Sequence, residues 1–118
     1  MNVTHEGLTM WFGTPDAPTP FDEEVVPRDR VSLLIGVHPS NPTNAISVRY
    51  RVDDGVPQSI PGRILRTDYA RDAQYFAVVF PRFVTGTVVH YWPLLSCGGR
   101  QVPAAALVDR VRGSFRLE

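Results

Sequence analysis

The sequence predicts an all-β protein, built as an antiparallel β-sandwich of about seven strands. Three observations support this fold class. Apolar and polar residues alternate with a period of two in several segments, as in strands that have one buried face. Another segment is an unbroken run of β-branched and aromatic residues. Glycine, proline, Asp and Asn separate these segments at short intervals, and convincing amphipathic helices are almost absent. A small closed barrel is the alternative architecture.

The clearest strand is Val31 to His38, in which every second residue is Val, Leu or Ile. Residues 39–44 contain two prolines and several turn-forming side chains, which predicts a loop. Residues 46–52 alternate again. Arg49 and Arg51 lie on the polar side of this alternation, so the segment is expected to be a strand with one face in water.

The tripeptide Asp53-Asp54-Gly55 predicts a tight turn, because Asp-Gly is a favoured pair where a turn needs positive φ. Residues 56–60 are expected to return from this turn as a short hairpin arm. Pro57 and Pro61 restrict that arm to the edge of a sheet, since proline cannot donate a ladder hydrogen bond. Further along, Thr67 to Ala73 is expected to form a helical turn.

The second half of the chain predicts two long strands and a hairpin. Residues 75–80 are aromatic and β-branched without polar interruption, which indicates a strand covered on both faces. Residues 87–95 form the next strand. The segment Cys97-Gly98-Gly99-Arg100 predicts a hairpin connection, because consecutive glycines allow backbone angles that other residues avoid. Residues 101–105 would be the partner strand.

These elements define a single domain over residues 1–118. We expect a first strand and a proline-rich crossover in residues 1–29, the sandwich core in residues 30–106, and a C-terminal strand or tail in residues 107–118. A short helix over residues 104–112 is the alternative for part of the C-terminal region. Ten apolar residues form the predicted core between the sheets: Val31, Leu33, Ile35, Val48, Tyr50, Phe76, Val78, Phe80, Val89 and Tyr91.

Composition argues against several classes of function. The 118 residues carry 12 basic and 12 acidic side chains, so the formal net charge is zero and the general attraction used by nucleic-acid binders is missing. No apolar run approaches the roughly 20 residues of a membrane-spanning helix, and no signal peptide is visible, which leaves the localisation open. The single cysteine predicts no internal disulfide. Leu117-Glu118 matches a common cloning junction, which suggests a segment of a larger protein.

The runs Ser47–Gly55, Tyr75–Pro81 and Gly86–Trp92 resemble immunoglobulin-like domains of the fibronectin type III and early-set kind. The resemblance covers roughly residues 30–106. Such domains are often non-catalytic modules attached to secreted or sugar-processing enzymes, so the resemblance implies a spacer, docking or binding role. The chain departs from the pattern at Cys97, which has no second cysteine to pair with, and at Val89, where the family's corner tyrosine would stand.

Exposed aromatic and arginine side chains are the candidate binding residues. Tyr91 and Trp92 are adjacent on one predicted strand, so alternation sends them to opposite faces and only one of them enters the core. An outward indole offers a flat apolar surface for a sugar ring or a partner protein. An arginine on a polar strand face offers recognition of an acidic partner. The candidates are Trp92, Trp11, Tyr69, Arg49 and Arg51.

The leading functional hypothesis is therefore a non-catalytic accessory or interaction module, associated with carbohydrate or protein and requiring no cofactor or metal. The alternative is a small hydrolase or metal-dependent enzyme in which His90, Cys97 and nearby acids meet at one end of the sandwich. Against this, a partly buried His90 bonded to a backbone carbonyl is a simpler explanation of that residue. A structural spacer without a ligand is the third hypothesis. The oligomeric state stays open.

Overall fold

The structure, a computed structural model, describes the backbone of residues 2–10 and all of residues 30–102 and 113–117. Within these ranges the regular elements are β-strands, and none of the described residues forms a helix of the length and apolarity needed to span a membrane. The strands are β1 (Asn2–Met10), β2 (Val31–His38), β3 (Asn44–Val52), β4 (Gln58–Pro61), β5 (Arg63–Asp68), β6 (Ala73–Val79), β7 (Val88–Cys97), β8 (Arg100–Gln101) and β9 (Gly113–Arg116).

The strands form two antiparallel sheets, which confirms the predicted antiparallel β-sandwich. The first sheet has the order β1-β2-β6-β5. The second has the order β4-β3-β7-β8, and β9 also pairs with β7. Strands β8 and β9 lie along the same edge of β7, because β3 occupies the other edge over its whole length. The described residues contain nine strands, more than the roughly seven predicted, and β5 lies in a segment for which no strand was predicted.

The inner faces of the two sheets form the main hydrophobic core. All ten residues predicted for the core are buried there. Alternation along each strand explains this success, because every second residue of a strand points to the same side. The core also contains buried residues that the prediction omitted, which come from the strand ends and the C-terminal region: Val37, Ile46, Leu95, Phe115 and Leu117.

Phe80 occupies the centre of an aromatic cluster inside this core. Its ring is fully buried and lies 5.2 to 6.4 Å, centroid to centroid, from the rings of Tyr50, Phe83, Tyr91 and Phe115. Three of these four contacts are edge-on, the arrangement that the charge distribution of aromatic rings favours. The cluster joins both sheets, because Phe80 directly follows β6 whereas Tyr50, Tyr91 and Phe115 belong to the five-stranded sheet.

Strand β6 is buried on both faces, as its continuous apolar sequence predicted. Phe76 and Val78 point into the main core, whereas Tyr75 and Ala77 point to the opposite side. On that opposite side they pack with Ala73 and residues of β2 and β5 in a second, smaller apolar cluster. A strand covered on both sides has no requirement for polar residues on either face, which is why β6 shows no alternation.

Two reversals of the chain use an Asp residue in the left-handed region. The φ angle is 50° at Asp53 and 52° at Asp72. The predicted turn at residues 53–55 is therefore confirmed. The helical turn predicted for Thr67 to Ala73 is wrong, because β5 continues to Asp68 and only residues 69–72 reverse the chain before β6. Asp and Asn tolerate this backbone region better than other non-glycine residues, and a local helical spacing cannot distinguish such a turn from a helix start.

The two predicted hairpins around the five-stranded sheet are also present. Strand β4 pairs with β3 and lies at the edge of the sheet, as Pro57 and Pro61 indicated. Gly98 and Gly99, with φ angles of 63° and 80°, connect β7 to β8. Strand β8 ends at Gln101, shorter than the partner strand predicted for residues 101–105. The proline-rich crossover, the helix considered for residues 104–112 and most of the predicted partner strand lie outside the described residues.

Side-chain amides link the two sheets at the end of the sandwich where β6 begins. The Gln74 Oε1 atom accepts hydrogen bonds from the backbone N–H of Asn41 at 3.1 Å and from the side-chain amide of Asn44 at 2.9 Å. Gln74 belongs to β6 in one sheet and Asn44 begins β3 in the other. Because both side chains are buried, these bonds fix the start of β3 against the four-stranded sheet.

Replacing the central ring of the aromatic cluster should strongly destabilise the fold. We expect Phe80→Ala to lower the free energy of unfolding by about 3–5 kcal/mol, because it leaves a cavity among four rings. Val84→Ala is the control, since Val84 lies nearby in the chain but is 78% exposed, and a surface change of this kind costs less than about 0.5 kcal/mol. Urea denaturation followed by circular dichroism measures both. Equal losses in the two variants would contradict a core centred on Phe80.

Candidate functional site

The outer face of the five-stranded sheet carries the strongest candidate site. Tyr91 points into the core and is only 3% exposed, so Trp92, the next residue of β7, points outward and is half-buried. Alternation along β3, β7 and β9 places polar and charged side chains around the indole. We call this surface the Trp92 face and define it by the residues Arg49, Arg51, His90, Trp92, Ser114 and Arg116.

Strand register determines which of these residues are neighbours. Arg49 lies directly opposite Trp92, and Arg51 lies opposite His90, in the continuous pairing of β3 with β7. On the other edge of β7, His90 is paired with Ser114 of β9. Directly paired residues have Cβ atoms about 4.5–5.5 Å apart, so their side chains are close enough to contact one ligand together. The pairing thus places an aromatic ring, guanidinium groups and an imidazole in adjacent rows.

A shallow depression of about 300 Å³ lies beside the indole ring. Its lining consists of Arg51, His90, Trp92, Tyr91 and Gly113. This volume is at the lower limit of small-molecule sites in proteins. The depression therefore fits one small ring or a single unit of a polymer, with the remainder of a polymeric ligand extending across the sheet.

Gly113 allows the close approach of Tyr91 beneath this depression. A Cβ atom at position 113 would overlap the phenol ring and hydroxyl of Tyr91, the residue paired with it across the two strands. The glycine is thus needed for packing and not for an unusual φ angle.

Burial raises the pKa of the Tyr91 hydroxyl above its ordinary value of 10.0, because the phenolate loses hydration there.

The charges on the five-stranded sheet are all positive. Its strands contain four arginines, and no Asp or Glu occurs in any of them. Asp53 follows directly after β3, and its Oδ1 atom accepts a hydrogen bond from the backbone N–H of Val88 at 3.2 Å. Within the described residues, no carboxylate forms an ion pair with Arg49 or Arg51. The guanidinium groups of Arg49 and Arg51 are exposed and not neutralised by a described carboxylate.

The structure brings together three of the five residues predicted from the sequence as binding candidates. Trp92, Arg49 and Arg51 lie on the same face, side by side. Tyr69 is 88% exposed, but it lies in the turn between β5 and β6 of the other sheet. Trp11 is outside the described residues. The sequence prediction did not include Ser114, Arg116 or Gly113, because nothing in their local pattern indicates that β9 pairs with the first half of β7.

The alternative that joined His90 with Cys97 is contradicted by their placement on β7. The two residues are seven positions apart on one extended strand, which corresponds to about 23 Å at roughly 3.3 Å per residue. The Cys97 sulfur instead lies 3.5 Å from the hydroxyl of Thr43. Among the described residues, no three His, Cys, Asp or Glu side chains group in a way that could hold a metal ion.

The simpler explanation for His90, a partly buried ring bonded to a backbone carbonyl, is also wrong. His90 is exposed, because it shares the outward side of β7 with Trp92. The contact with a backbone carbonyl that was expected for His90 occurs instead at His38. The Nδ1 atom of His38 lies 2.9 Å from the carbonyl oxygen of Asp72 and 3.2 Å from that of Arg71, although His38 is exposed.

The fold and the Trp92 face together define a β-sandwich domain with an aromatic, arginine-bearing sheet surface. No protein-family model matches the chain, and no curated protein matches it in sequence. Solved structures from Listeria monocytogenes share the fold. One is an uncharacterised protein from strain EGD-e, with a TM-score of 0.60 and 15% identity. A further structure of that protein, in complex with α-D-glucose, β-D-glucose, magnesium and calcium, has a TM-score of 0.59 and 16% identity.

A cycloalternan-forming enzyme from the same organism, in complex with a pentasaccharide substrate, has a TM-score of 0.59 and 18% identity. Each of these alignments covers 77% of this chain and 8% of the other chain. The similarity therefore concerns the sandwich fold and a small part of much longer proteins.

A methyl group at position 113 should lower the stability of the fold. We expect Gly113→Ala to cost about 1–3 kcal/mol of unfolding free energy, because the Tyr91 ring must move to accommodate the added carbon. Ser114→Ala, at the neighbouring exposed position, should change stability by less than about 0.5 kcal/mol. Thermal denaturation of both variants measures the difference. An unchanged Gly113→Ala variant would show that Tyr91 does not occupy this space.

The raised pKa of Tyr91 predicts a loss of stability at alkaline pH. Below about pH 10 the hydroxyl is protonated in both the folded and the unfolded chain, and the stability is complete. Above that pH the unfolded chain loses this proton more readily, so stability falls as pH rises through the folded pKa. Tyr91→Phe should remove this component and the delayed tyrosinate absorbance that Tyr91 contributes in a pH titration. Retention of both in the variant would contradict the assignment.

Proposed function

We propose that this chain is a non-catalytic, carbohydrate-associated module of a larger protein, and that the Trp92 face is its binding surface. The observation that carries the proposal is an outward indole set in a row of exposed hydrogen-bond donors, beside a depression that fits one ring. The sugar complexes of the Listeria structures and the small share of those chains that aligns here support the same role.

In the proposed contact, the apolar C–H face and the hydroxyl groups of a sugar meet different side chains. The C–H groups on one side of a pyranose ring are apolar and pack against the face of an indole. The hydroxyl groups at the rim of the ring accept and donate hydrogen bonds. On the Trp92 face, Arg49 lies next to the indole, and Arg51 and His90 line the depression. A sugar lying on Trp92 would place its rim near these groups, which determine its orientation.

We also propose that the sandwich is of the immunoglobulin-like kind. Its first sheet joins the first, second, sixth and fifth strands, and its second sheet joins the fourth, third and seventh strands with the last two. Immunoglobulin constant domains have ABED and CFG sheets. The order here corresponds to that arrangement with one extra edge strand, β4. An experimental structure that placed β5 beside β4 instead of β6 would contradict this assignment.

The test of the binding surface compares two exposed aromatic residues. We expect Trp92→Ala to weaken binding to an immobilised glycan by about tenfold, since the indole packing contributes about 1 kcal/mol or more. Tyr69→Ala is the matched control, because Tyr69 is more exposed but lies on the other sheet, and this change should leave binding intact. A glycan array identifies the ligands, and isothermal titration calorimetry measures the affinities.

Two outcomes would contradict the proposal. Equal binding by wild type and Trp92→Ala would show that the Trp92 face is not the site. Binding of wild-type protein to no glycan on the array would favour the third hypothesis, a spacer without a ligand. Circular dichroism of each variant confirms that the fold is intact before the affinities are compared.

A further inference from the structure

We propose that the Trp92 face selects an acidic glycan, one that carries uronate carboxylates, over a neutral one. This inference rests on the proposed function and specifies its ligand class. It follows from the kind of hydrogen-bonding groups that the face presents. A neutral sugar presents only hydroxyl groups, which a mixture of donors and acceptors recognises best. A uronate adds a planar anion that accepts hydrogen bonds only.

Four of the six side chains that define the Trp92 face are hydrogen-bond donors only. Arg49, Arg51 and Arg116 can donate but never accept, and the indole N–H of Trp92 is likewise a donor only. The strands of this sheet contain no carboxylate that would bind a hydroxyl proton. His90 and Ser114 are the groups of the defined face that can also accept. This donor excess matches a ligand rich in acceptor oxygens.

The charge of the central part of the chain differs from the net charge of the whole chain, which is zero. Between residues 30 and 102 the chain has eight arginines and four aspartates, and no glutamate or lysine. The four aspartates lie in turns or, in the case of Asp68, at the end of β5. Counted over the described residues, the outer face of the five-stranded sheet is therefore positive, although the whole chain has no net charge. An anionic ligand is attracted to this side of the molecule.

Two other arginines of the described chain have contacts within the protein that Arg49 and Arg51 lack. The Arg71 guanidinium lies 3.8 Å from a carboxylate oxygen of Asp68, and Arg66 lies over the ring of Tyr75 at 4.8 Å. Arg49 and Arg51 have no such ion pair or ring contact among the described residues. They follow each other on one side of β3, two residues apart, opposite Trp92 and His90. Guanidinium forks in this position bind carboxylates in a bidentate manner.

The test measures binding to three soluble polymers by calorimetry at low and high salt. The polymers are polygalacturonate, which has uronate rings, dextran, which has neutral rings, and poly-L-glutamate, which has carboxylates without sugar rings. We expect binding to polygalacturonate to be the tightest of the three and to weaken when salt rises from about 0.05 to 0.5 M, because exposed charge pairs are screened. Trp92→Ala should weaken it as well.

Charge-matched double variants separate local recognition from general attraction. Arg49→Gln with Arg51→Gln should weaken binding to polygalacturonate by about tenfold, through loss of two exposed charge pairs. Arg63→Gln with Arg100→Gln removes the same charge from exposed positions outside the Trp92 face and should change binding by less than about twofold. Equal losses in the two double variants would overturn the proposal, since they would indicate non-specific attraction.

The remaining outcomes are equally decisive. Trp92-dependent binding to dextran that equals or exceeds binding to polygalacturonate would overturn the acidic specificity and leave the proposed function standing. Equal or tighter binding of poly-L-glutamate would indicate an acidic protein partner and overturn the glycan assignment. No binding to any of the three polymers would overturn the acidic specificity, whereas the glycan array tests the broader function separately.

Discussion

The candidate site depends on the unbroken antiparallel register between β3 and β7. This pairing extends from Asn44 opposite Cys97 to Val52 opposite Val89 without a bulge. Because side chains alternate with a period of two, a shift of one residue in either strand would move its core residues to the surface and its polar residues into the core. The burial of Val48 and Tyr91 therefore fixes the outward direction of Arg49 and Trp92. Core packing and the composition of the Trp92 face are two consequences of one pairing.

Much of the fold was predictable because its information is local. The turn at Asp53, the edge position of the arm after it and the double-sided burial of β6 follow from short segments read with elementary backbone sterics. The prediction failed at residues 67–73, where an Asp residue with positive φ reverses the chain and short-range spacing resembles the start of a helix. The omitted core residue Phe115 shows a second limit, since its burial depends on a pairing with Val89 that is distant in sequence.

The candidate site was predictable only in part for the same reason. Alternation on a single strand distinguished Trp92 from Tyr91 and placed Arg49 on a polar side, but it gave no information about which strands are neighbours. The exposure of His90 was predictable, since it follows from the same alternation that places Trp92 outward, and the interpretation of His90 as partly buried was wrong for that reason. Charge shows another limit of the sequence analysis. The formal net charge of the chain is zero, although the strands of the five-stranded sheet contain no acidic residue. The net charge is a sum over the whole chain, so it does not report the charge of any one face.

Strand β4, which closes one side of the five-stranded sheet, has a consequence for how two copies of the domain meet. The strand is short, begins just after Pro57 and ends at Pro61, so little of its free edge can donate to an incoming chain. Neighbouring copies of a sandwich with this border resist fusing into a continuous sheet. Two copies that met along this border would therefore remain separate sheets.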